Sequence, residues 1–249
     1  MRTDPMQQLK RFIAVLLLAM VIDRVPTAIA AEQTQTRAVK PPTPAQLHYS
    51  QRVQSFREQN QRLDKNKYEN VVLVGDSITE GFDVARFFPG RPVLNRGIGS
   101  DVIGNSLAPG DNRGVLKRLD ESFYDCAAQQ AFLLIGINDL GDSHSPATIE
   151  AGYREILERV KKHSPTLRVH IQSVLPARGK FAKFNANVLD VNRRLQKLAT
   201  EFGYDYLDLH TLMKDEKGEL RADLTTDGLH LNLAGYKIWQ EAINHALNW

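Results

Sequence analysis

The sequence predicts a single α/β domain built on a parallel β-sheet with helices on both faces. Five short, apolar, β-branched-rich segments are bounded by turn residues, the signature of buried strands. Amphipathic segments of helical length separate the later ones, which indicates βαβ units whose strands read as continuous apolar runs. No repeat and no second linker interrupts residues 70–249, and 249 residues of which 42% are apolar suffice for one core.

The first thirty residues stand apart. Lys10 and Arg11 precede an uninterrupted apolar stretch over residues 12–22, and Ala28-Ile29-Ala30 supplies small residues at signal-peptidase spacing. The run is too short for a membrane span of about 20 residues. Residues 1–30 therefore read as a signal peptide, with an uncleaved anchor as the rival reading because Asp23 and Arg24 interrupt the pattern. The expectation is export to the periplasm or the extracellular space, with membrane contact only through an uncleaved segment. Removing residues 1–30 takes away Arg2, Lys10, Arg11 and Arg24 against Asp4 and Asp23, so a formal charge of +3 falls by two to +1. Residues 31–44, ending in Pro41-Pro42-Thr43-Pro44, read as a Pro/Thr/Gln-rich linker.

The domain proper occupies residues 45–249. Leu47, Val53, Phe56 and Leu63 recur at roughly helical spacing, predicting an amphipathic helix over about residues 45–65. Strands follow at 71–74, 92–95, 131–135, 167–175 and 204–209. Helices are expected at 148–162, 186–202 and 233–247; in the first, Ile149, Tyr153, Ile156, Leu157 and Val160 share one face. In open parallel sheets functional groups gather at the carboxyl ends of the strands.

Two such ends, and the turn before the last helix, carry chemistry. The first strand runs into Gly75-Asp76-Ser77-Ile78-Thr79, displaying a serine hydroxyl where a helix begins. Position 79 is threonine, so this is not the Gly-x-Ser-x-Gly elbow. Taken alone, Asp and Ser here also read as helix caps. A second copy, Gly141-Asp142-Ser143, follows a loop and reads as a turn. The third strand ends in Gly136-Ile137-Asn138-Asp139, where an amide either ties down a turn or donates to an oxyanion. Asp227-Gly228-Leu229-His230 precedes the last helix, and its spacing lets a carboxylate orient an imidazole, though any single such pair also suits a surface.

Taken in order, Gly-Asp-Ser, a glycine-containing turn after the second strand, Gly-x-Asn-Asp and a late Asp-x-x-His resemble the four motif blocks of the GDSL/SGNH hydrolases. The resemblance spans about residues 70–247 and points to serine esterases and lipases similar to platelet-activating-factor acetylhydrolase-like members. It implies a three-layer flavodoxin-like fold on a five-stranded parallel sheet. It also implies Ser77 as nucleophile, His230 as base, Asp227 as its orienting partner, and an acyl-enzyme intermediate. The implied oxyanion hole uses the Ser77 N–H, the Asn138 side chain and a backbone N–H from the second block. That block reads Asn95-Arg96-Gly97-Ile98-Gly99-Ser100-Asp101, with serine where relatives commonly carry glycine before the aspartate. The donor is then Ser100, with Gly99 as substitute if a positive φ shifts the loop.

Other readings are weaker. Gly97, Gly99 and Gly104 imitate a dinucleotide fingerprint, but the third glycine is two positions late. Six histidines besides His230 are scattered and none forms His-Glu-x-x-His, so no metal and no cofactor are expected. His144 is expected either to line the substrate pocket or to sit in solvent. The loop over 177–185, with Arg178, Lys180, Lys183 and Phe184, forms either another pocket wall or a solvated connection. Cys126, the single cysteine, excludes an internal disulfide and reads as a buried thiol. No clustered basic face suggests nucleic acid.

The leading expectation is hydrolysis of small acyl esters, acetyl above all, with carbohydrate as a candidate carrier. A lipid esterase or thioesterase, an acyltransferase using the same serine, and a non-catalytic exported binding module are the alternatives.

Overall fold

The computed structural model describes residues 41–67 and 69–249. The predicted signal peptide and most of the predicted linker lie outside the described residues. Strands β1 (Asn70–Gly75), β2 (Val93–Gly97), β3 (Ala128–Leu134), β4 (Arg168–Gln172) and β5 (Asp205–Leu207) form one sheet in the order β2-β1-β3-β4-β5. Every pairing is parallel. The chain winds outward from β1 to β2 and then crosses back to β3, so the direction of winding reverses beside β1. A ligand crevice is expected at the carboxyl ends there.

Around the sheet lie α1 (Pro44–Gln61), α2 (Ser77–Glu80), α3 (Ile137–Gly141), α4 (Pro146–His163), α5 (Asn185–Phe202) and α6 (Leu233–Leu247). The main core centres on Val71–Val74 and Ala131–Ile135, all buried, because a central parallel strand is covered on both faces. The face of α4 predicted from Ile149, Tyr153, Ile156, Leu157 and Val160 is fully buried. Tyr153 also closes the end of β3: its hydroxyl donates to Ile135 O at 2.9 Å and lies 3.1 Å from Ile135 N.

Several boundaries differ from the sequence reading. Helix α1 begins inside the predicted linker. Thr43 accepts from Gln46 N while the Gln46 side chain accepts from Thr43 N, and Pro44 sits at the first helical position where its fixed φ is favourable. Its buried stripe is Tyr49, Val53, Phe56 and Asn60, leaving Leu47 47% exposed. Strand β4 ends at Gln172, not 175, because the side-chain amide of Asn192 takes both the N–H and the carbonyl of Val174, at 2.8 and 2.9 Å. Strand β5 stops at Leu207 because Asp208 caps a short helix over Leu209–Met213, accepting from Thr211 N at 3.0 Å.

A satellite core of Tyr49, Val53, Phe56 and Ile98 fixes α1 beside β2. The Phe56 ring lies within cation–π range of Arg52 at 4.9 Å and Arg96 at 4.8 Å. Arg96 is fully buried and donates to Gln59 and Asn60 of the same helix at 2.8 and 2.7 Å.

Candidate active site

Gly75 ends β1 where a Cβ would overlap Leu134 O of the neighbouring strand, so the chain can turn sharply only with glycine. Asp76 then caps α2 by accepting from Ile78 N at 2.9 Å, and Ser77 follows as the first helical residue. Asp76 thus does the capping, and the Ser77 side chain is left to meet His230. Ser77 is half-buried and its Oγ lies 2.9 Å from His230 Nε2. His230 Nδ1 lies 2.6 Å from Asp227 Oδ2.

The turn that presents this pair is built locally. Asp227 Oδ1 accepts from the backbone of Leu229 and His230 at 2.9 and 2.8 Å, so one carboxylate orients both the main chain and the ring. Thr225 Oγ1 donates to His230 O at 2.7 Å and accepts from Gly228 N at 2.9 Å. Gly228 has φ +90° and would drive a Cβ into Arg178 O, while its own carbonyl accepts from Arg178 N at 2.7 Å. Partial burial pushes the Asp227 carboxyl up, but the His230 ring and the two N–H groups outweigh it. The group is held below the usual carboxylate range.

The conformation of the second block bears on the Ser100–Gly99 alternative. Ser100 has φ +61°, a left-handed conformation that a residue with Cβ adopts at a cost of about 1 kcal/mol. Gly99 does not stand free to replace it, because its N–H donates to Glu80 Oε2 at 2.5 Å. The Ser100 N–H has no partner among the described residues. Arg113 holds the peptide from the other side, donating from Nη1 to Ser100 O at 2.6 Å while pairing with Asp111 and Asp142 at 2.8 and 2.9 Å. The second Gly-Asp-Ser copy is thus a turn that anchors Arg113. Glycines 97 and 104 serve packing: a Cβ at Gly97 would strike Glu80 N, and one at Gly104 would press on Gly114.

Asn138 stands at the carboxyl end of β3, its Nδ2 donating to Asp101 O at 2.9 Å. That bond uses one amide hydrogen and leaves the second available. Beneath the site lies a network that sequence reasoning missed. Asp101 and Arg118 are fully buried and 2.7 Å apart. Arg118 also donates to Gly75 O, Arg96 O and Ser122 Oγ at 3.0, 2.8 and 2.6 Å, tying the ends of β1 and β2 together. No motif or spacing around Arg118 signalled it in the sequence.

His144 does not line the cavity beside the site. It is half-buried with Nδ1 3.5 Å from Asp139 Oδ1, and its backbone N–H donates to Asp139 O at 2.8 Å. From the 177–185 loop, Lys180, Phe181, Lys183 and Phe184, though not Arg178, line with Asn138 and Leu229 an open cleft of about 250 Å³. His170 stacks on Phe132 at 4.2 Å, and burial pushes its imidazole down to about 4. Cys126 is buried.

Burial pushes the Asp76 carboxyl up to about 7, helped by Asp101 and Asp139 and opposed by the Ile78 N–H. Its folded pKa exceeds its unfolded one, so its contribution to stability is complete below pH 4 and is lost as pH rises to about 7. Asp76→Asn keeps the acceptor for Ile78 and removes the charge. Relative to wild type, the variant should therefore gain stability between pH 4 and about 7, read as a growing difference in Tm that levels off above; a difference independent of pH would contradict the assignment.

A family model, the GDSL-like Lipase/Acylhydrolase family, matches residues 73–238. The chain belongs to this family. By family it is accordingly a carboxylic ester hydrolase. The matched stretch begins inside β1, so α1 lies outside it. A Streptococcus pneumonia protein assigned as a platelet activating factor shares 24% identity at a TM-score of 0.70, covering 81% of this chain and 93% of its own. A GDSL-like lipase from Bacteroides thetaiotaomicron shares 22% at 0.68, covering 79% and 97%. These likenesses show that this hydrolase has the family's fold. N-acylneuraminate cytidylyltransferase of Escherichia coli is 21% identical over 208 residues, 78% of this chain, and the chain spans 45% of that protein's length.

Proposed function

We propose that the protein hydrolyses small acyl esters, acetyl above all, through Ser77, His230 and Asp227. The observation that carries the reading is the unbroken chain from Ser77 Oγ through both imidazole nitrogens to Asp227. Ser77 Oγ attacks the ester carbonyl as His230 Nε2 takes its proton, and Asp227 holds the tautomer and stabilises the imidazolium. The imidazolium returns the proton to the departing alcohol, leaving an acyl-Ser77. Water attacks that ester with His230 again as base, releasing the acid and restoring the hydroxyl.

Charge on the tetrahedral oxygen falls to the Ser77 N–H, the Ser100 N–H and the second amide hydrogen of Asn138. Asn138→Ala should lower kcat by about 10²- to 10³-fold with little change in KM, since the donor acts as charge develops. Steady-state kinetics separate the two, and a rise in KM at constant kcat would remove Asn138 from this role.

The cavity of about 250 Å³ beside Asn138 and Leu229 suits a carrier no larger than about one ring. A further support is the fold shared with an acetyl-xylooligosaccharide esterase from Geobacillus at 16% identity and a TM-score of 0.56, covering 74% of this chain and 95% of its own. Carbohydrate is the carrier we favour. The experiment is hydrolysis of p-nitrophenyl esters from acetyl to palmitoyl. Turnover confined to short acyl groups is expected; a long-chain preference would replace this reading with a lipid esterase.

The proposal includes export, on the strength of Lys10-Arg11, the apolar stretch and Ala28-Ile29-Ala30. Terminal sequencing of the secreted chain should then start at Ala31; an intact Met1 terminus would contradict cleavage.

A further inference from the structure

We propose that the cavity beside Ser77 and His230 selects an ester whose carrier bears an anionic group, a carboxylate or a phosphate, on a ring of about monosaccharide size. The inference rests on reading Ser77 and His230 as the reacting centre, and it concerns the wall next to them.

That wall is the 3₁₀ turn over Gly179–Phe184. With three residues per turn, positions three apart lie one above the other. Lys180 and Lys183 therefore form one ridge and Phe181 and Phe184 another, and all four line the cavity with Asn138 and Leu229. The two rings are half-buried, whereas the two lysines are exposed. Each ammonium stands over its neighbour's ring, at 4.9 and 5.0 Å, which holds the charge at the cavity rim.

The charge is uncompensated. Among the described residues, neither Lys180 nor Lys183 has a carboxylate within 4.0 Å, and no Asp or Glu lines the cavity. The adjacent Arg178 shows the contrast, neutralised by Asp215 at 3.0 Å and Glu219 at 3.1 Å. Two like charges beside an apolar wall focus a positive field where the carrier must enter. The cavity touches Asn138 and Leu229, the residue before His230, so it opens next to the reacting centre.

The test separates this inference from the reading it rests on, because it measures binding without turnover. Ser77→Ala protein is titrated calorimetrically with 4-acetoxybenzoate, 4-acetoxyphenyl phosphate and the neutral 4-acetoxybenzamide. The anionic probes should bind about five- to tenfold more tightly than the neutral one, the combined effect of two exposed charge contacts. Adding Lys180→Gln and Lys183→Gln should bring the ratio close to one, and raised salt should do the same to the parent. Both variants alter exposed side chains, and equal melting temperatures establish that they fold. Tighter binding of the phosphate than the carboxylate assigns the anion as phosphate; the reverse assigns carboxylate. Equal affinity for charged and neutral probes, or a preference that survives the double substitution, overturns the proposal. Absence of ester turnover in the wild-type chain alongside anion-selective binding would fault the reaction and leave the anion site standing.

Discussion

Ser77→Ala should lower ester turnover by roughly 10⁴- to 10⁶-fold while leaving the melting temperature within about 1 °C. The size follows from the group removed. Without Oγ no acyl-enzyme forms, and only the N–H donors and substrate positioning remain to assist direct attack by water. Stability should survive because the Ser77 side chain contacts His230 and holds no structural bond, whereas capping of α2 belongs to Asp76. Ser143, in the second Gly-Asp-Ser copy, offers no replacement: it lies in the turn that anchors Arg113. Kinetics beside thermal melts of the two proteins read both quantities. A large fall in Tm would mean that lost activity reports unfolding.

Arg118→Met should cost about 3–5 kcal/mol, because it strips a buried carboxyl, Asp101, of its only cationic partner among the described residues. Burial already pushes the Asp101 carboxyl up against the favourable effect of Arg118, so removing the guanidinium removes the main compensation. The carbonyls of Gly75 and Arg96 lose their donors in the same step. For a chain of this size the change corresponds to a fall in Tm of about 10 °C. Asp101→Asn in the same background should recover part of the loss, since a neutral amide is cheaper to bury. Urea unfolding of the single and double variants tests this; additive losses would show that the two residues act independently.

The contrast between these two positions shows what the sequence made legible. Ser77, Asn138, Asp227 and His230 could be placed at strand and helix ends from the pattern of elements, but each alone also read as a cap, a turn or a surface pair, and their roles were implied only by the ordered resemblance of the four motif blocks. The sheet's five parallel strands were implied through resemblance but their order was not, since pairing between β1 and β3 joins segments nearly sixty residues apart. Arg118 was invisible for a related reason. Its partners come from β1, β2 and the loop after β2, and no spacing within one segment encodes that meeting. Asn192 ended β4 from a distant helix in the same way. Thr43-Pro44-Ala45-Gln46, by contrast, is a capping box in the sequence itself, masked by the proline-rich run before it. The conformation of Ser100 was the reverse case: the residue type argued against φ +61°, and two neighbouring contacts, Glu80 on Gly99 and Arg113 on Ser100, hold the turn regardless.

The account places an activated nucleophile at one hydroxyl. Its most direct test is labelling with a fluorophosphonate followed by peptide mass spectrometry. A single adduct is predicted on the peptide containing Ser77, absent in Ser77→Ala and strongly slowed in His230→Ala. Ester hydrolysis that continues while Ser77 stays unlabelled, or an adduct on another serine, would contradict the account.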